Sequence, residues 1–266
     1  MIAIYQSGAL NEKTISEHLV KKREVFVKKE TTSTNDWAAS VSRKAKDGSI
    51  FLAERQTKGR GRRGRSWQSD EGGGLFLSVL EYPTLSPNHV SRLTLCAAMA
   101  VCRGIGDVTG VLPGIKWPND IVLNGKKVCG ILSEMRAEGE KIIHVVIGIG
   151  VNVNQTEFPK ELNQIATSLT LETGKEWNKN YLVSAICNRL DEYETFLKEN
   201  KFPIEEYRTH CVTLGREVCV ISVGEEYSAK AISVTEDGEL VVCLPDGSPK
   251  TIGSGEVSVR GLFGYV

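Results

Sequence analysis

The stretch IKWPNDIVLNGKKVCGILSEM, residues 115–135, decides the fold that this chain can adopt. Two apolar runs flank Asn124-Gly125, the residue pair that a type I′ hairpin turn prefers because both central residues of that turn have positive φ angles. We therefore predict two antiparallel strands joined by a two-residue turn. The cross-strand pairs that follow are Leu123–Lys126, Val122–Lys127, Ile121–Val128 and Asp120–Cys129.

The predicted hairpin places two charged side chains on one face of the sheet. Opposite partners share a face and successive residues alternate between faces, so Lys127 lies with Asp120 while Lys126 points to the other side. A lysine and an aspartate that converge in this way suit a site for a magnesium–nucleotide complex. They suit an exposed cross-strand salt bridge equally well, and such pairs contribute little to stability. The hairpin alone leaves both interpretations open.

Helix and strand patterns on both sides of the hairpin predict an α+β domain. Apolar side chains recur at helical spacing, or alternate with polar ones, along most of the chain before residue 200. The predicted helices cover residues 12–24, 35–46, 88–103 and 180–200, and the second has Ser33 or Thr34 as its N-cap. The predicted strands outside the hairpin cover residues 25–30, 49–55, 75–82 and 143–154.

The strand predicted over residues 143–154 has one unusual face. Its apolar face carries isoleucine and valine, whereas the opposite face is bare at Gly148 and Gly150 and then polar at Asn152. Glycine inside a strand often marks the close approach of a ligand or of another backbone. A twist or bulge at the glycines is the alternative, and this strand by itself favours it.

The pattern changes after residue 213. Short strands are predicted over residues 216–222, 227–234, 240–244 and 257–260, with turn signals at Gly224, Asp237-Gly238 and Asp246-Gly247. We expect two domains, an α+β unit over residues 1–212 and a small all-β barrel over residues 213–266.

The composition excludes several classes of protein. The 266 residues carry 33 basic and 33 acidic side chains, so no global charge favours nucleic acid. No apolar run approaches the roughly 20 residues that span a bilayer, and the first residues lack a signal-peptide pattern. Seven cysteines without a CxxC pair indicate reduced thiols rather than disulfides or zinc ligands. We expect a cytoplasmic protein that does not bind membranes.

The stretch GRGRRGR, residues 59–65, alternates arginine with glycine between two predicted strands. Arginine forks recognise phosphate and carboxylate, and glycine lets the backbone fold around an anion. A nucleic-acid-binding tail has the same composition, but it occurs as a long disordered run rather than as one copy between strands. The position therefore favours a loop over one small anionic ligand. Such a loop repels itself, so we expect it to be mobile when empty and to order over its ligand.

Four motifs together resemble the biotin protein ligase family: STN (33–35), QTKGRGRRGRSW (56–67), KWPNDIVLNGKKVCGIL (116–132) and GIGVNVN (148–154). The resemblance implies a mixed sheet flanked by helices, as in class II aminoacyl-tRNA synthetases, with a C-terminal SH3-like β-barrel. It also implies a two-step reaction. Biotin and MgATP give biotinyl-5′-AMP and pyrophosphate, and biotin then passes to a lysine of a biotin carboxyl carrier protein.

The resemblance also assigns residues. The biotin contacts that it implies are Ser33, Thr34, Asn35, Gln56, Arg60, Gly61, Arg62, Lys127, Gly130, Gly148 and Gly150, with the last two glycines leaving room for the body of biotin. The ATP contacts that it implies are Arg60, Arg62, Arg63, Arg65, Trp67, Asn119, Asp120, Lys127 and Asn152. Lys127 and Arg62 are the expected catalytic residues, and Asp120 is the expected contact to Mg²⁺ through ATP.

Two alternatives share some of these features. A biotin-sensing regulator that binds nucleic acid would use the arginines on a backbone, and a lipoate-type ligase would share the fold but lack GRGRRGR. Bifunctional family members carry a winged helix-turn-helix ahead of the catalytic domain, for which the residues before Ser33 leave no room, so we expect no DNA binding. The motifs leave open whether two copies associate as a homodimer.

Overall fold

The structure of this protein is a computed structural model that describes residues 8–68, 73–199, 202–222, 224–254, 258–261 and 265. The helices are α1 (Glu12–His18), α2 (Thr34–Val41), α3 (Val90–Thr109), α4 (Leu169–Thr173), α5 (Lys179–Lys198) and α6 (Ile204–His210). The strands of the first sheet are β1 (Val25–Thr31), β2 (Ser49–Gln56), β3 (Gly74–Glu81), β4 (Gly114–Lys116), β5 (Asp120–Leu123), β6 (Lys126–Glu138) and β7 (Lys141–Asn152). The strands of the second sheet are β8 (Glu217–Ser222), β9 (Glu225–Val234), β10 (Leu240–Cys243), β11 (Pro249–Ile252) and β12 (Ser258–Gly261).

The first sheet has seven strands in the order β1-β2-β3-β7-β6-β5-β4. The β1–β2 pair is parallel and the remaining pairs are antiparallel, so the predicted mixed sheet is confirmed. Helices α3 and α5 cover one face and α2 covers the other. Strand β3 is buried along its whole length because helices cover both of its faces. None of the helices within the described ranges is both long and apolar enough to cross a bilayer.

The second sheet is antiparallel throughout, in the order β11-β10-β9-β8-β12, and it is compatible with a small SH3-like domain. Strand β11 was not predicted. The buried Trp117 joins this sheet to the first, because its indole nitrogen donates to the carbonyl of Gly238 at 2.9 Å and its backbone nitrogen donates to Thr213 Oγ1 at 2.9 Å. The second sheet therefore lies directly beside the hairpin.

The predicted hairpin is present, with one correction to its register. Asn124 and Gly125 have φ angles of 48° and 77°, as a type I′ turn requires. The pairs Val122–Lys127 and Leu123–Lys126 are confirmed, but the register then shifts. The predicted pairs Ile121–Val128 and Asp120–Cys129 are wrong, and the observed pairs are Ile121–Cys129 and Asp120–Gly130. Val128 is the extra residue of a β-bulge, and it is fully buried.

The arm before the turn is also divided. The single strand predicted over residues 115–123 is instead two short strands, β4 and β5, which pair with each other around Trp117, Pro118 and Asn119. The KWPND motif is therefore a tight turn at the edge of the sheet. This turn points Asn119 and Asp120 toward the candidate site described below.

Several helix ends differ from the predictions. Helix α1 ends at His18 and α2 at Val41, both before the predicted ends, and α4 and α6 were not predicted. Helix α3 continues beyond its predicted end to Thr109, because Gly104 does not interrupt it. A Cβ at Gly104 would lie 2.9 Å from the Ile186 backbone, so this glycine allows α3 and α5 to pack closely. Ser33 is the N-cap of α2, and all seven cysteines are free thiols.

Candidate active site

A cavity lies on the α2 face of the first sheet, below the basic loop. Its volume is about 50 Å³, so a ligand must displace side chains that now fill it. Thirteen of the residues expected at the site line it: Ser33, Thr34, Asn35, Gln56, Arg60, Gly61, Arg62, Trp67, Asn119, Lys127, Gly130, Gly148 and Gly150. Phe76, Leu77, Ile131, Leu132 and Ile149 complete the lining.

A second, open cleft of about 760 Å³ adjoins the first cavity. Arg63, Arg65 and Asp120 line it, together with Arg62 and Lys127, which also line the first cavity. Asn152 lines neither cavity. Its buried amide donates to the carbonyl of Thr167 at 3.0 Å and accepts from Gln155 Nε2 at 3.3 Å, so it holds a loop in place. The structure therefore separates Asn152 from the other expected residues.

The start of α2 supplies the polar end of the first cavity. Ser33 caps the helix by accepting from the backbone nitrogen of Asp36 at 3.5 Å. Gln56 Oε1 accepts from the Thr34 backbone at 2.8 Å and from its hydroxyl at 3.1 Å. Because Ser33, Thr34 and Asn35 are nearly fully buried, their polar groups require partners, and the helix start directs them into the cavity.

Asn35 occupies the space above Gly148. Its Nδ2 donates to Glu134 Oε2 at 2.7 Å and its Oδ1 accepts from Ser78 Oγ at 2.6 Å. A Cβ at Gly148 would lie 2.3 Å from Asn35 Oδ1. Position 148 therefore requires glycine, because any larger residue would collide with the Asn35 side chain.

Gly150 and Gly130 have the same relation to Trp67. A Cβ on either glycine would lie 2.7 Å from the indole. Strand β7 keeps a regular register with both neighbours at Gly148 and Gly150, so the bulge that the isolated strand favoured is wrong. The glycines instead allow close contacts with the sheet. In this structure the groups that make these contacts are the side chains of Asn35 and Trp67.

The basic loop is a small hairpin held by backbone hydrogen bonds. Gly61 N donates to the carbonyl of Arg65 at 2.7 Å, and Trp67 N donates to the carbonyl of Gly59 at 2.9 Å. Arg63 adopts a left-handed conformation with φ of 57°. This path returns the chain toward the sheet and lays Trp67 over it. The motion of the loop without ligand stays a prediction.

Arg62 and Arg60 lie in different electrostatic surroundings. Arg62 donates to Asn119 Oδ1 at 2.9 Å and to the carbonyl of Ser254 in the second domain. Burial lowers the pKa of Arg62, and repulsion from Arg63 and Arg65 adds to the effect. A guanidinium stays charged even so, and a desolvated one binds anions strongly. The partners of Arg60, in contrast, are carboxylates.

Lys127 pairs with Asp120 where the two cavities meet. Lys127 Nζ lies 2.6 Å from Asp120 Oδ1, and the two side chains are 25% and 18% exposed. Tyr265, which follows the second sheet in the chain, donates to Asp120 Oδ2 at 2.6 Å. Lys126 Nζ donates elsewhere, to the carbonyl of Asn163 at 2.8 Å. The predicted separation of the two lysines is confirmed despite the shifted register.

Asp120 is the carboxylate that could contact a magnesium ion bound with a nucleotide. Among the residues that the structure describes, no group of three histidine, cysteine, aspartate or glutamate side chains could hold a metal by itself. A single carboxylate fits Mg²⁺, which is commonly held by one or two carboxylates together with substrate phosphates. The residues thus fit a metal that arrives with its nucleotide.

Sequence reasoning missed four residues of this region: Asp36, Ser78, Glu134 and Tyr265. Ser78 left a detectable signal, because it is a serine inside the apolar strand LFLSVLEY. Asp36 and Glu134 look like ordinary surface charges in the sequence. Tyr265 lies 145 residues from its partner Asp120, and no local pattern connects the two.

The fold and the site together define a class of protein. A buried polar cavity meets an arginine- and lysine-lined cleft on the face of a mixed sheet, and the described residues that line these two cavities include no histidine and no cysteine. Such a site offers charge stabilisation to an anionic ligand. Comparison with known proteins identifies the family.

Residues 26–152 match the model of the biotin/lipoate A/B protein ligase family, and residues 213–260 match the biotin protein ligase C terminal domain. The biotin--[acetyl-CoA-carboxylase] ligase of Mycobacterium tuberculosis is 32% identical over 251 residues, covering 90% of this chain and 91% of that protein. The chain belongs to the biotin/lipoate A/B protein ligase family. The bifunctional ligase/repressor BirA of Bacillus subtilis is 36% identical over 210 residues, which cover 77% of this chain and 65% of that protein.

The fold agrees with solved structures of the same family. The biotin protein ligase from Aquifex aeolicus in complex with biotin and ATP superposes with a TM-score of 0.77 at 32% identity. The superposition covers 90% of this chain and 99% of that chain. The expected fold class is therefore confirmed for both sheets.

Proposed function

We propose that this protein is a biotin protein ligase that activates biotin with MgATP and transfers it to a lysine of a biotin carboxyl carrier protein. One observation carries the proposal: the Lys127–Asp120 pair and the desolvated Arg62 lie where the polar cavity meets the basic cleft. The Mycobacterium tuberculosis relative is described as a biotin--[acetyl-CoA-carboxylase] ligase, and the Aquifex aeolicus structure is described with biotin and ATP, which supports the assignment.

In the first step a carboxylate oxygen of biotin attacks the α-phosphorus of ATP. The bond between the α-phosphorus and the bridging oxygen breaks, and pyrophosphate leaves with the electron pair. No proton moves, so the protein needs no general base. Lys127 and Arg62 stabilise the charge that develops on the phosphoryl oxygens, as preorganised cations do in phosphoryl transfer. Mg²⁺, when bound with ATP near Asp120, supplies further charge neutralisation on the phosphates.

The polar cavity is the proposed site of the ureido ring of biotin. Ser33, Thr34 and Asn35 present buried donors and acceptors there, and Gln56 lies beside them. A buried site built of hydrogen-bonding groups rejects ligands that lack the matching groups. This property favours biotin over lipoate, which has no ureido group.

The basic cleft is the proposed nucleotide site. Trp67 provides a flat surface for adenine, and Arg63 and Arg65, which also line the cleft, supply positive charge for the polyphosphate. Asn119 orients Arg62 through its side-chain oxygen at 2.9 Å.

In the second step the neutral amine of the acceptor lysine attacks the carbonyl carbon of biotinyl-5′-AMP. An amide bond forms, AMP leaves with the electron pair of the anhydride bond, and the amine proton passes to solvent.

We also propose that residues 1–212 form the catalytic domain, that residues 213–266 form a separate domain, and that the protein acts in the cytoplasm. The match of residues 213–260 to a C-terminal domain model supports the boundary.

Pyrophosphate release with labelled ATP tests the proposal. We expect release that depends on biotin, with a protein-bound adenylate, and little release with lipoate. Replacing Lys127 with alanine should reduce adenylate formation by about 10²–10³-fold, the effect of removing one preorganised charge-stabilising group. Lys126→Ala is the matched control, because its amine bonds to the carbonyl of Asn163 outside both cavities.

Three results would contradict the proposal. Pyrophosphate release that does not require biotin would exclude this substrate. Equal losses in the Lys127 and Lys126 variants would show that Lys127 has no special role. Salt-sensitive binding of oligonucleotides without biotin turnover would favour the nucleic-acid-binding alternative.

A further inference from the structure

Arg60 is held by two carboxylates at the entrance of the polar cavity. Its guanidinium donates to both oxygens of Asp36 at 2.7 and 2.8 Å and to both oxygens of Glu134 at 3.0 and 3.2 Å. Asp36 lies in the first turn of α2, and Glu134 lies in β6. Arg60 thus ties the start of the basic loop to the helix and to the strand that border the cavity.

The charges around Arg60 differ from those of an anion site. Two carboxylates face one guanidinium, so the local charge is negative before any ligand arrives. The hydrogen bonds to Asp36, and then those to Glu134, raise the pKa of Arg60, whereas burial lowers the pKa of Arg62. A phosphate or carboxylate brought to Arg60 would be repelled by Asp36 and Glu134.

We infer that Arg60, Asp36 and Glu134 form a clamp that keeps the basic loop closed over the polar cavity, and that Arg60 is a positioning residue rather than a ligand of biotin's carboxylate or of ATP. The inference rests on the proposed function for the identity of the ligand, but the protein alone forms the clamp. We therefore expect the clamp to oppose the mobility that the composition of the empty loop predicts. This positioning role replaces the contacts to biotin and ATP that the family resemblance implied for Arg60.

Glu134 connects the clamp to the polar end of the cavity. The same carboxylate accepts from Arg60 and from Asn35 Nδ2 at 2.7 Å, and this second bond turns Asn35 Oδ1 toward Ser78. Closing the loop and orienting the Asn35 amide therefore depend on one side chain. A change at Glu134 should weaken retention of the ligand in the polar cavity without affecting the nucleotide cleft, which Glu134 does not line.

The clamp is tested first without any ligand, by hydrogen exchange of the backbone amides in residues 59–67. Glu134→Gln keeps the size of the side chain but removes its charge, and we expect faster exchange in the loop by about threefold to tenfold. The Arg55–Glu30 pair provides a matched control for the Arg60–Glu134 pair. Its separation is 2.8 Å with side-chain exposures of 45% and 51%, and the Arg60–Glu134 separation is 3.0 Å with exposures of 41% and 40%. Glu30→Gln should leave exchange in the loop unchanged.

The second measurement follows the enzyme with its ligands. In Glu134→Gln we expect biotinyl-5′-AMP to dissociate about fivefold faster and the KM for biotin to rise, while the KM for ATP stays within about twofold. Arg60→Ala should reproduce these effects, and the double variant should be no worse than either single one, because both changes open the same clamp. Unaltered loop exchange in Glu134→Gln would overturn the clamp.

A second result would also overturn it: an Arg60→Ala variant that raises the KM for ATP about tenfold while Glu134→Gln has no effect. Arg60 would then be a phosphate ligand. If the wild-type protein forms no adenylate at all, the proposed function fails, and the exchange experiment still decides whether the clamp exists.

Discussion

Replacing Gly148 with alanine should disrupt the polar end of the active site. The new Cβ would lie 2.3 Å from Asn35 Oδ1 and 2.8 Å from Asn35 Nδ2, distances that two non-bonded heavy atoms do not reach. The asparagine cannot turn aside freely, because Ser78 and Glu134 hold the two ends of its amide at 2.6 and 2.7 Å. Ser78 is itself fully buried in β3 and cannot retreat.

The structure allows the cost to be estimated. Moving Asn35 breaks two hydrogen bonds within a nearly buried site, at about 1 kcal/mol each in net terms. Forcing a methyl group into a filled space adds about 1–3 kcal/mol. We therefore expect the free energy of unfolding to fall by about 3–5 kcal/mol. The KM for biotin should rise by at least about tenfold, since about 1.4 kcal/mol corresponds to a factor of ten in affinity.

Urea denaturation followed by circular dichroism measures the first effect, and pyrophosphate release at varied biotin concentration measures the second. Gly253→Ala is the control, because a Cβ there meets nothing within 4 Å and the residue is not among the glycines with positive φ. If Gly148→Ala differs from this control by less than about 0.5 kcal/mol, a typical change for a neutral surface substitution, the proposed contact between Gly148 and Asn35 does not constrain the site.

Two further predictions concern stability. Gly125→Ala should lower the free energy of unfolding by about 1 kcal/mol in the same denaturation assay, because Gly125 has a φ of 77° that alanine adopts only with strain; an unchanged value would contradict the type I′ turn. Burial raises the pKa of Glu194 from 4.5 to about 7. Between these pH values the folded state therefore binds more protons than the unfolded state. The free energy of unfolding should consequently fall as the pH rises from 4.5 to about 7. Glu194→Gln should reduce this fall, measured by denaturation at pH 5 and pH 8; the same fall in the variant would show that Glu194 is not its source.

Local signals predicted the parts of the fold that are decided within a few residues. Asn124-Gly125 determined the turn, because few other residue pairs accept two successive positive φ angles. The apolar stripe of residues 180–200 predicted α5, whose bounds are Lys179–Lys198. The alternation over residues 143–154 predicted which face of β7 packs into the main hydrophobic core, because successive side chains of a strand point to opposite faces.

Other features depend on contacts between distant segments. The bulge at Val128 has no local signal, since Val128 and Cys129 are both apolar and both fully buried. Gly104 reads as a helix breaker, yet α3 passes through it because Ile186 of α5 packs against the backbone there. The cost of glycine in a helix is about 1 kcal/mol, and the close packing of two long helices offsets it.

By itself, the sequence predicted an α+β architecture and the hairpin, because periodicity and turn chemistry are properties of the chain alone. The family resemblance of its motifs implied the mixed sheet and most of the residues that line the two cavities. Only the tertiary structure decided which group each of these residues contacts. Arg60 and Arg62 are equivalent in the motif GRGRRGR, but the fold places Arg60 between Asp36 and Glu134, and places the partly buried Arg62 beside Asn119. The physical reason is that the charge available to a ligand depends on the neighbours of a side chain in space, and a sequence motif lists only its neighbours along the chain.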